Sequence, residues 1–368
     1  MVGSAAALVM LDILNLDSLE DRARERLDPM LFDYIAGGSG DEWTLRENRT
    51  AWSRLELLPR MLRGVGKRDQ RTTVLGTPVS FPVLVPPMGF HGLCHVDAEL
   101  ATARGTAAAG TIFVASTVSN RSLEAIAEAC DGPRWFQLYV YRDKEITRGL
   151  VERAAAAGYS ALCLTVDTPL AGQRERDRRN RLRMPAHLGL DNFPAAHADQ
   201  NKAEGQESAL ARYIADMWDA NLTWDDVDWL RSISPLPVII KGVLAPEDAS
   251  LAVEHGAAAL IVSNHGGRQL DGAPAPITML PYIVDAVAGQ TEILLDGGVR
   301  RGTDVLKAIA LGARAVLVGR PVLWGLTLDG QAGVTAVLEH LRREIDLAMA
   351  LAGCPTIDAI DAGLVISE

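Results

Sequence analysis

The sequence predicts an α/β chain folded as a (β/α)8 TIM barrel, with an N-terminal helical extension and a long lid insertion after strand 4. Three observations carry this reading. Short, β-branched apolar runs without polar alternation recur along the chain, as strands buried on both faces of a parallel sheet do. Alanine-rich stretches of helical character lie between them. The runs also begin at a nearly regular interval, which favours a closed barrel over a doubly wound sheet.

In chain order the runs are PVLVPPM (82–88), TIFVAS (111–116), WFQLYV (135–140), ALCLTVD (161–167), VIIKG (238–242), ALIVSNHG (259–266), EILLDGG (292–298) and AVLVGR (315–320). Their starts lie 21 to 33 residues apart, apart from one gap of 77 between 161 and 238. The clear helical stretches are 97–110, 122–130, 146–158, 246–256 and 302–312, several opening on Ser, Asp, Pro or Thr and closing on Gly. The long gap holds a polar stretch around 186–208, which reads as a lid. We therefore expect a single domain over residues 1–368: an N-terminal helical segment (1–75) capping the base or side of the barrel, the barrel itself (76–325) with its lid at about 180–225, and C-terminal helices (326–368) packed outside it.

Composition narrows the function. Apolar residues make up 48% of the chain and charged residues 23%, enough for a large core and a soluble surface. A formal net charge of −11 argues against a nucleic-acid partner, which needs a broad basic face. The cysteines, Cys94, Cys130, Cys163 and Cys354, show neither disulfide nor metal-ligand spacing, and we expect no metal site. His91 and His95 are spaced i, i+4 but fall on a glycine-containing loop, where His91 reads as structural or lid-side. The N-terminal AAALVMLDIL is too short to span a bilayer and lacks signal-peptide flanks, and the C-terminal LVISE carries no peroxisomal tripeptide. The expectation is a cytoplasmic protein with no membrane partner.

Chemistry in such a barrel gathers at the C-terminal strand ends. Here those ends carry Gln137 and Tyr139, Thr165 and Asp167 with Arg174 beyond, Lys241, then Ser263, His265 and Arg268, Asp296, and Gly319 with Arg320. DGGVRRGTD (296–304) and VGRP (318–321) follow strands 7 and 8, where these barrels commonly bind phosphate, and their spacing is not that of the dinucleotide fingerprint. His265 is the histidine placed to take a proton near neutral pH, and an adjacent Asp167 would orient it. Arg174 and Arg268 suit a carboxylate clamp. Lys241 reads either as a cation that stabilises charge on a cofactor or as a Schiff-base lysine; the second leaves both arginines without a task.

Longer stretches then match a family. SNHGGRQLDGAPA (263–275), together with FDYIAGGSGDEWTLRENRTAWSRLELLPRML (32–62), WFQLYVYRD (135–143), LTVDTPLAGQRERDRRN (164–180), VIIKGVL (238–244) and LLDGGVRRGTDVLKAIALG (294–312), closely resembles the FMN-dependent α-hydroxy-acid oxidases and dehydrogenases. The resemblance runs from about residue 20 to the C-terminus and is nearest in pattern to the bacterial and cyanobacterial L-lactate oxidases of the glycolate-oxidase type.

It implies FMN as cofactor and His265 as the base, paired with Asp167. Arg174, Arg268, Tyr34 and Tyr139 would hold the carboxylate and hydroxyl of a 2-hydroxy acid, and Lys241 would lie near flavin N1. Pro87, Met88 and Gly89 would run along the flavin, with Ser116, Gln137, Thr165 and Ser263 as polar contacts. Asp296, Gly298, Arg300, Gly319 and Arg320 would hold the ribityl chain and phosphate. The implied reaction is oxidation of an L-2-hydroxy acid to the 2-oxo acid, with O2 giving H2O2, in a homotetramer.

Three positions bear on the substrate. Plant glycolate oxidases carry tryptophan where this chain has Val118 and threonine where it has Met88, which favours L-lactate or a larger apolar acid over glycolate. The oxidases usually carry alanine where this chain has Gly89, and the membrane mandelate dehydrogenases carry glycine, so Gly89 is expected to free space beside the flavin for an acid such as mandelate. A dehydrogenase and a lactate monooxygenase stand as alternative activities, and a non-catalytic flavin-binding barrel as the alternative to any enzyme.

Overall fold

The structure, a computed structural model, describes residues 11–183, 185, 187–193 and 217–367. The central part of the expected lid, 194–216, lies outside the described residues.

Eight parallel strands build the barrel: strand 1 (Val83–Leu84), strand 2 (Phe113–Ala115), strand 3 (Arg134–Leu138), strand 4 (Leu162–Thr165), strand 5 (Val238–Val243), strand 6 (Ala259–Val262), strand 7 (Glu292–Leu295) and strand 8 (Ala315–Leu317). Each neighbours the next in sequence, and strand 8 returns to strand 1. The ring closes between strands 1 and 2, where Val85 N–H donates to Ile112 O at 3.1 Å and Val114 N–H donates to Val85 O at 3.0 Å. All eight apolar runs of the sequence are strands here.

The two-residue period of a strand organises both the core and the site. Leu84, Val114, Trp135, Cys163, Ile239, Ile261, Leu294 and Leu317 pack on one another inside the barrel. Their neighbours, such as Val83, Phe136, Leu164, Ile240 and Val262, pack outward against the helices. Two residues further along each strand, the inward position falls on Pro86, Ser116, Gln137, Thr165, Lys241, Ser263, Asp296 and Gly319. Apolar pairing thus places one layer of mostly polar side chains at the C-terminal mouth.

The five expected helices are present at Ala98–Ala108, Leu123–Ala129, Lys144–Ala156, Pro246–Glu254 and Gly302–Ala310. Ser122 and Asp143 cap two of them, accepting from Ala125 N and Glu145 N. Two further helices, Trp224–Ile233 and Pro276–Val287, were not among the clear sequence patterns; the second carries Pro281 in its interior. The C-terminal helix begins at Arg320, before the expected 326, and has a break at Asp329–Gly330, where Gly330 has φ +53°.

The N-terminal segment differs from expectation in content and place. It holds helices Leu16–Arg26, Pro29–Ala36 and Trp43–Thr50, but also strand Leu55–Leu57, paired antiparallel with Val365–Ser367 near the C-terminus, and the hairpin Thr72–Val74 with Thr77–Val79. Val74 and Val79 of the hairpin join the inner barrel core. The part from Tyr34 to Asn48 lies over the mouth, not the base. Ser39 N–H donates to Gly267 O at 2.9 Å, and Asn48 and Asn264 exchange two amide hydrogen bonds at 2.8 and 2.7 Å.

Candidate active site

A cavity opens at the C-terminal mouth, lined from every strand end and from the N-terminal segment. Of the residues expected at a site, Tyr34, Pro87, Met88, Gly89, Ser116, Val118, Tyr139, Thr165, Arg174, Lys241, His265, Arg268, Asp296, Gly298, Arg300, Gly319 and Arg320 line it. Gln137, Asp167 and Ser263 stand behind the lining.

His265 follows strand 6 in a left-handed backbone conformation, φ +59°, followed by Gly266 at +66° and Gly267 at +75°. For a residue other than glycine this conformation is uncommon, and its surroundings hold it. Here Ser263 Oγ accepts from His265 N at 3.1 Å, and Asn264 Oδ1 accepts from Gly267 N at 3.1 Å. The tight turn brings His265 Nδ1 to 2.8 Å from Asp167 Oδ1. Thr168 Oγ1 donates to the same carboxylate oxygen at 3.1 Å. Burial raises the Asp167 carboxyl, but the charge and hydrogen bond of His265, then Lys241 and Thr168, more than offset it, so its pKa is lowered. Asp167 therefore stays ionised behind the imidazole.

Lys241 Nζ donates to Ser263 Oγ at 2.8 Å and lies 3.0 Å from Asp296 Oδ2. Burial lowers its pKa, but Asp296 and Asp167 more than offset this and hold it above the ordinary lysine value. A Schiff-base lysine needs a neutral amine, so the alternative role for Lys241 is set aside. Ser263 has a different place from the one expected. Its Oγ, fully buried, joins Lys241 to the His265 turn and does not line the cavity.

The arginines form a chain of guanidiniums. Arg174 Nε lies 3.2 Å from Asp177 Oδ2, and the Cζ atoms of Arg174 and Arg268 lie 5.5 and 5.0 Å from the Tyr34 ring centroid. Arg268 donates to Tyr34 O and Gly37 O, and Arg320 to Ile35 O, Gly37 O and Gly266 O. The Tyr34, Ile35 and Gly37 carbonyls end helix Pro29–Ala36, where cations are favoured, so these contacts seat that helix on the mouth, while Gly266 O ties Arg320 to the turn after strand 6. Among the described residues Arg320 makes no ion pair, and Arg300 has only Asp17, at 3.8 Å. Burial pushes Arg300 down to about 10 and, with repulsion from Arg268 and Arg300, pushes Arg320 down to about 9. A dianion between strands 7 and 8 would relieve this strain, as FMN phosphate does when held by backbone N–H groups and arginine.

Other features fit a flavin in the same cavity. Gln137 Nε2, Thr165 Oγ1 and Asp296 Oδ1 are buried without a hydrogen-bond partner among the described residues. Gln137 Oε1 is already used by Ser116 Oγ and Thr117 N, so its amide is turned with the donor free. Three unmet polar groups in one layer call for a polar ligand.

Two glycines have reasons other than the expected ones. A Cβ on Gly298 would lie 1.7 Å from Asn48 O, so the N-terminal segment itself demands glycine there. A Cβ on Gly89 would lie 2.7 Å from Val118 Cγ2. The room left by the missing methyl is thus filled by Val118 and not opened to a substrate, which corrects the expectation of extra space beside residue 89.

Sequence reading missed Thr168 and Trp218, both on the cavity wall. Thr168 adjoins Asp167 and was findable from that position. Trp218 lies just past the long insertion, where no periodic pattern marks it. His91 is fully buried, with Nδ1 2.8 Å from Thr102 Oγ1, and is structural.

Comparison with known proteins agrees with this geometry. The sequence model of the FMN-dependent dehydrogenase family matches residues 23–367. The chain is similar to an L-lactate oxidase of Nostoc sp., 52% identical over 356 residues, covering 96% of this chain and 98% of the relative. It is also similar to a glycolate oxidase of Arabidopsis thaliana, 49% identical over 95% of each chain. Among solved structures, mandelate oxidase with (S)-4-hydroxymandelic acid superposes with a TM-score of 0.92 at 44% identity, covering 97% of this chain and 99% of that one.

Proposed function

The chain belongs to the FMN-dependent dehydrogenase family, and from that premise we propose that it oxidises L-lactate to pyruvate, with O2 as acceptor and H2O2 as product. It is an FMN-dependent α-hydroxy-acid oxidoreductase. The observation that carries the reading is one cavity in which a carboxylate-backed imidazole shares the lining with two guanidiniums, Arg174 and Arg268.

Each group has a task. Arg174 and Arg268 bind the substrate carboxylate, with the Tyr34 ring beside both guanidiniums on the same wall. Tyr139, whose phenol pKa is raised by burial and then by Asp167, stays protonated and donates to the substrate's hydroxyl oxygen. Asp167 holds the proton on Nδ1 of His265, leaving Nε2 to take the substrate's proton, and stabilises the imidazolium that forms. FMN, when bound, would supply a two-electron acceptor; Arg300, Arg320, Gly319 and Gly298 would hold its phosphate end, and Lys241, Thr165 and Asp296 on the lining, with the free donor of Gln137 just behind them, would meet its polar groups.

L-lactate over glycolate is supported by Val118 and Met88 on the wall and by the similarity to an L-lactate oxidase. A larger acid such as mandelate is the second reading, supported by the same apolar wall and the likeness to mandelate oxidase. We also propose a cytoplasmic homotetramer, a reading that rests on the family resemblance and, for the compartment, on four free cysteines. The test is anaerobic flavin bleaching across 2-hydroxy acids, followed by admission of O2 and a peroxide assay. Faster reduction by L-lactate than by glycolate, with stoichiometric peroxide, is expected. Preference for glycolate, or reduced flavin that persists in O2, would overturn it.

A further inference from the structure

We propose that Trp218 sets the upper size of the substrate's side chain. The inference rests on the hydroxy-acid reading above, because it assumes that the carboxylate and the reacting carbon are held at the arginines and His265.

With those parts of the substrate placed, its side chain must lie against the apolar part of the wall. That part includes Met88, Phe90, Val118 and Trp218. The first three come from the loops after strands 1 and 2. Trp218 comes from elsewhere: it is the re-entry point of the long excursion after strand 4, and it has the largest side chain of the four. It is 4% exposed, and its ring stacks on Tyr139 with centroids 3.6 Å apart and planes at 17°.

The backbone explains how it is held there. Residues 217–219 run antiparallel to the chain leaving strand 3. Arg142 N–H donates to Met217 O at 3.0 Å, Asp219 N–H donates to Val140 O at 3.0 Å, and Arg142 Nε donates to Trp218 O at 3.2 Å. Lys144 Nζ pairs with Asp219 on the same segment, at 3.6 Å. The segment that carries Tyr139 out of strand 3 therefore also fixes the residue covering it. A wall built this way is stiff, and a stiff wall discriminates by size, because a side chain that exceeds the space must displace a paired backbone.

The Trp218 Nε1–H is buried and without a hydrogen-bond partner among the described residues. Trp218→Phe thus breaks no hydrogen bond and keeps most of the wall, whereas Trp218→Ala removes the wall. This pair separates size from polarity.

The test measures kcat/KM for L-lactate, longer unbranched L-2-hydroxy acids and L-mandelate in the wild-type holoenzyme and both variants, with the flavin absorption band reporting that each variant is folded and loaded. Dissociation constants of pyruvate and benzoylformate, read from perturbation of that band, give a second series that needs no turnover. Trp218→Ala is expected to raise the mandelate-to-lactate ratio at least about tenfold, and the benzoylformate-to-pyruvate affinity ratio in the same direction, with Trp218→Phe close to wild type. A uniform fall in kcat with both ratios unchanged would make Trp218 a support for Tyr139 alone and overturn the proposal. If the wild-type protein oxidised no 2-hydroxy acid, the functional reading would fail, and the affinity ratios would still decide whether Trp218 is the wall.

Discussion

Nδ1 of His265 lies 2.8 Å from Oδ1 of Asp167, and the contact exists because residue 242 has no side chain. A Cβ on Gly242, which has φ +109°, would lie 2.6 Å from Asp167 Cβ and 2.7 Å from its Cγ. The pairing of strands 5 and 6 shifts register between Lys241 and Val243 at the same place. A bulge, a glycine and a buried carboxylate together aim one imidazole.

Asp167→Asn is expected to keep the shape and lose the chemistry. An amide donating to Nδ1 would leave the proton on Nε2, the atom that must accept one. The rate of anaerobic flavin reduction should fall by about 10³–10⁴, with the flavin spectrum intact. A fall of less than tenfold would mean that Asp167 does not set the tautomer.

Gly89→Ala should act through Val118. The added methyl overlaps Val118 Cγ2, so the valine is pushed toward the substrate and activity on larger acids drops more than activity on L-lactate. Val118→Ala in the same chain should restore it, with a coupling energy of about 0.5–3 kcal/mol in a double-mutant cycle. Additive effects would show that the two positions act independently.

Arg320→Gln removes a buried charge that has no carboxylate partner among the described residues. FMN should bind about 10–100-fold more weakly in equilibrium dialysis, from loss of a charge-assisted contact to phosphate. Riboflavin, which lacks the phosphate, should bind both proteins alike. Equal weakening for riboflavin would trace the effect to the seat of helix Pro29–Ala36 instead.

His91 predicts a pH dependence of stability. Burial pushes its imidazole down from 6.5 to about 3. The folded pKa lies below the unfolded one, so its contribution is complete above about 6.5 and is lost as pH falls toward about 3. Between pH 7 and pH 5 this amounts to about 2 kcal/mol. Glu99 runs the other way: burial pushes its carboxyl from 4.5 to about 7, so it favours the folded state as pH falls through that window. Urea midpoints of His91→Asn should therefore fall less than those of the wild type between pH 7 and pH 5. An equal fall would place the acid-sensitive group elsewhere.

The barrel and most of the candidate site were legible in the sequence. Eight doubly buried strands must read as continuous apolar runs, and the two-residue period then forces the next inward position of each strand to the mouth. Hence Gln137, Thr165, Lys241 and Asp296 were legible from pattern, and long motifs added Tyr34 and the cofactor. What depends on contacts between segments remote in the chain was not legible there. Tertiary packing seated the N-terminal segment on the mouth through Arg268 and Arg320, gave Ser263 Oγ to Lys241 and the His265 turn, gave the space beside Gly89 to Val118, and laid Trp218 on Tyr139. These are matters of packing and partner choice over separations of tens to hundreds of residues, and no local period encodes them.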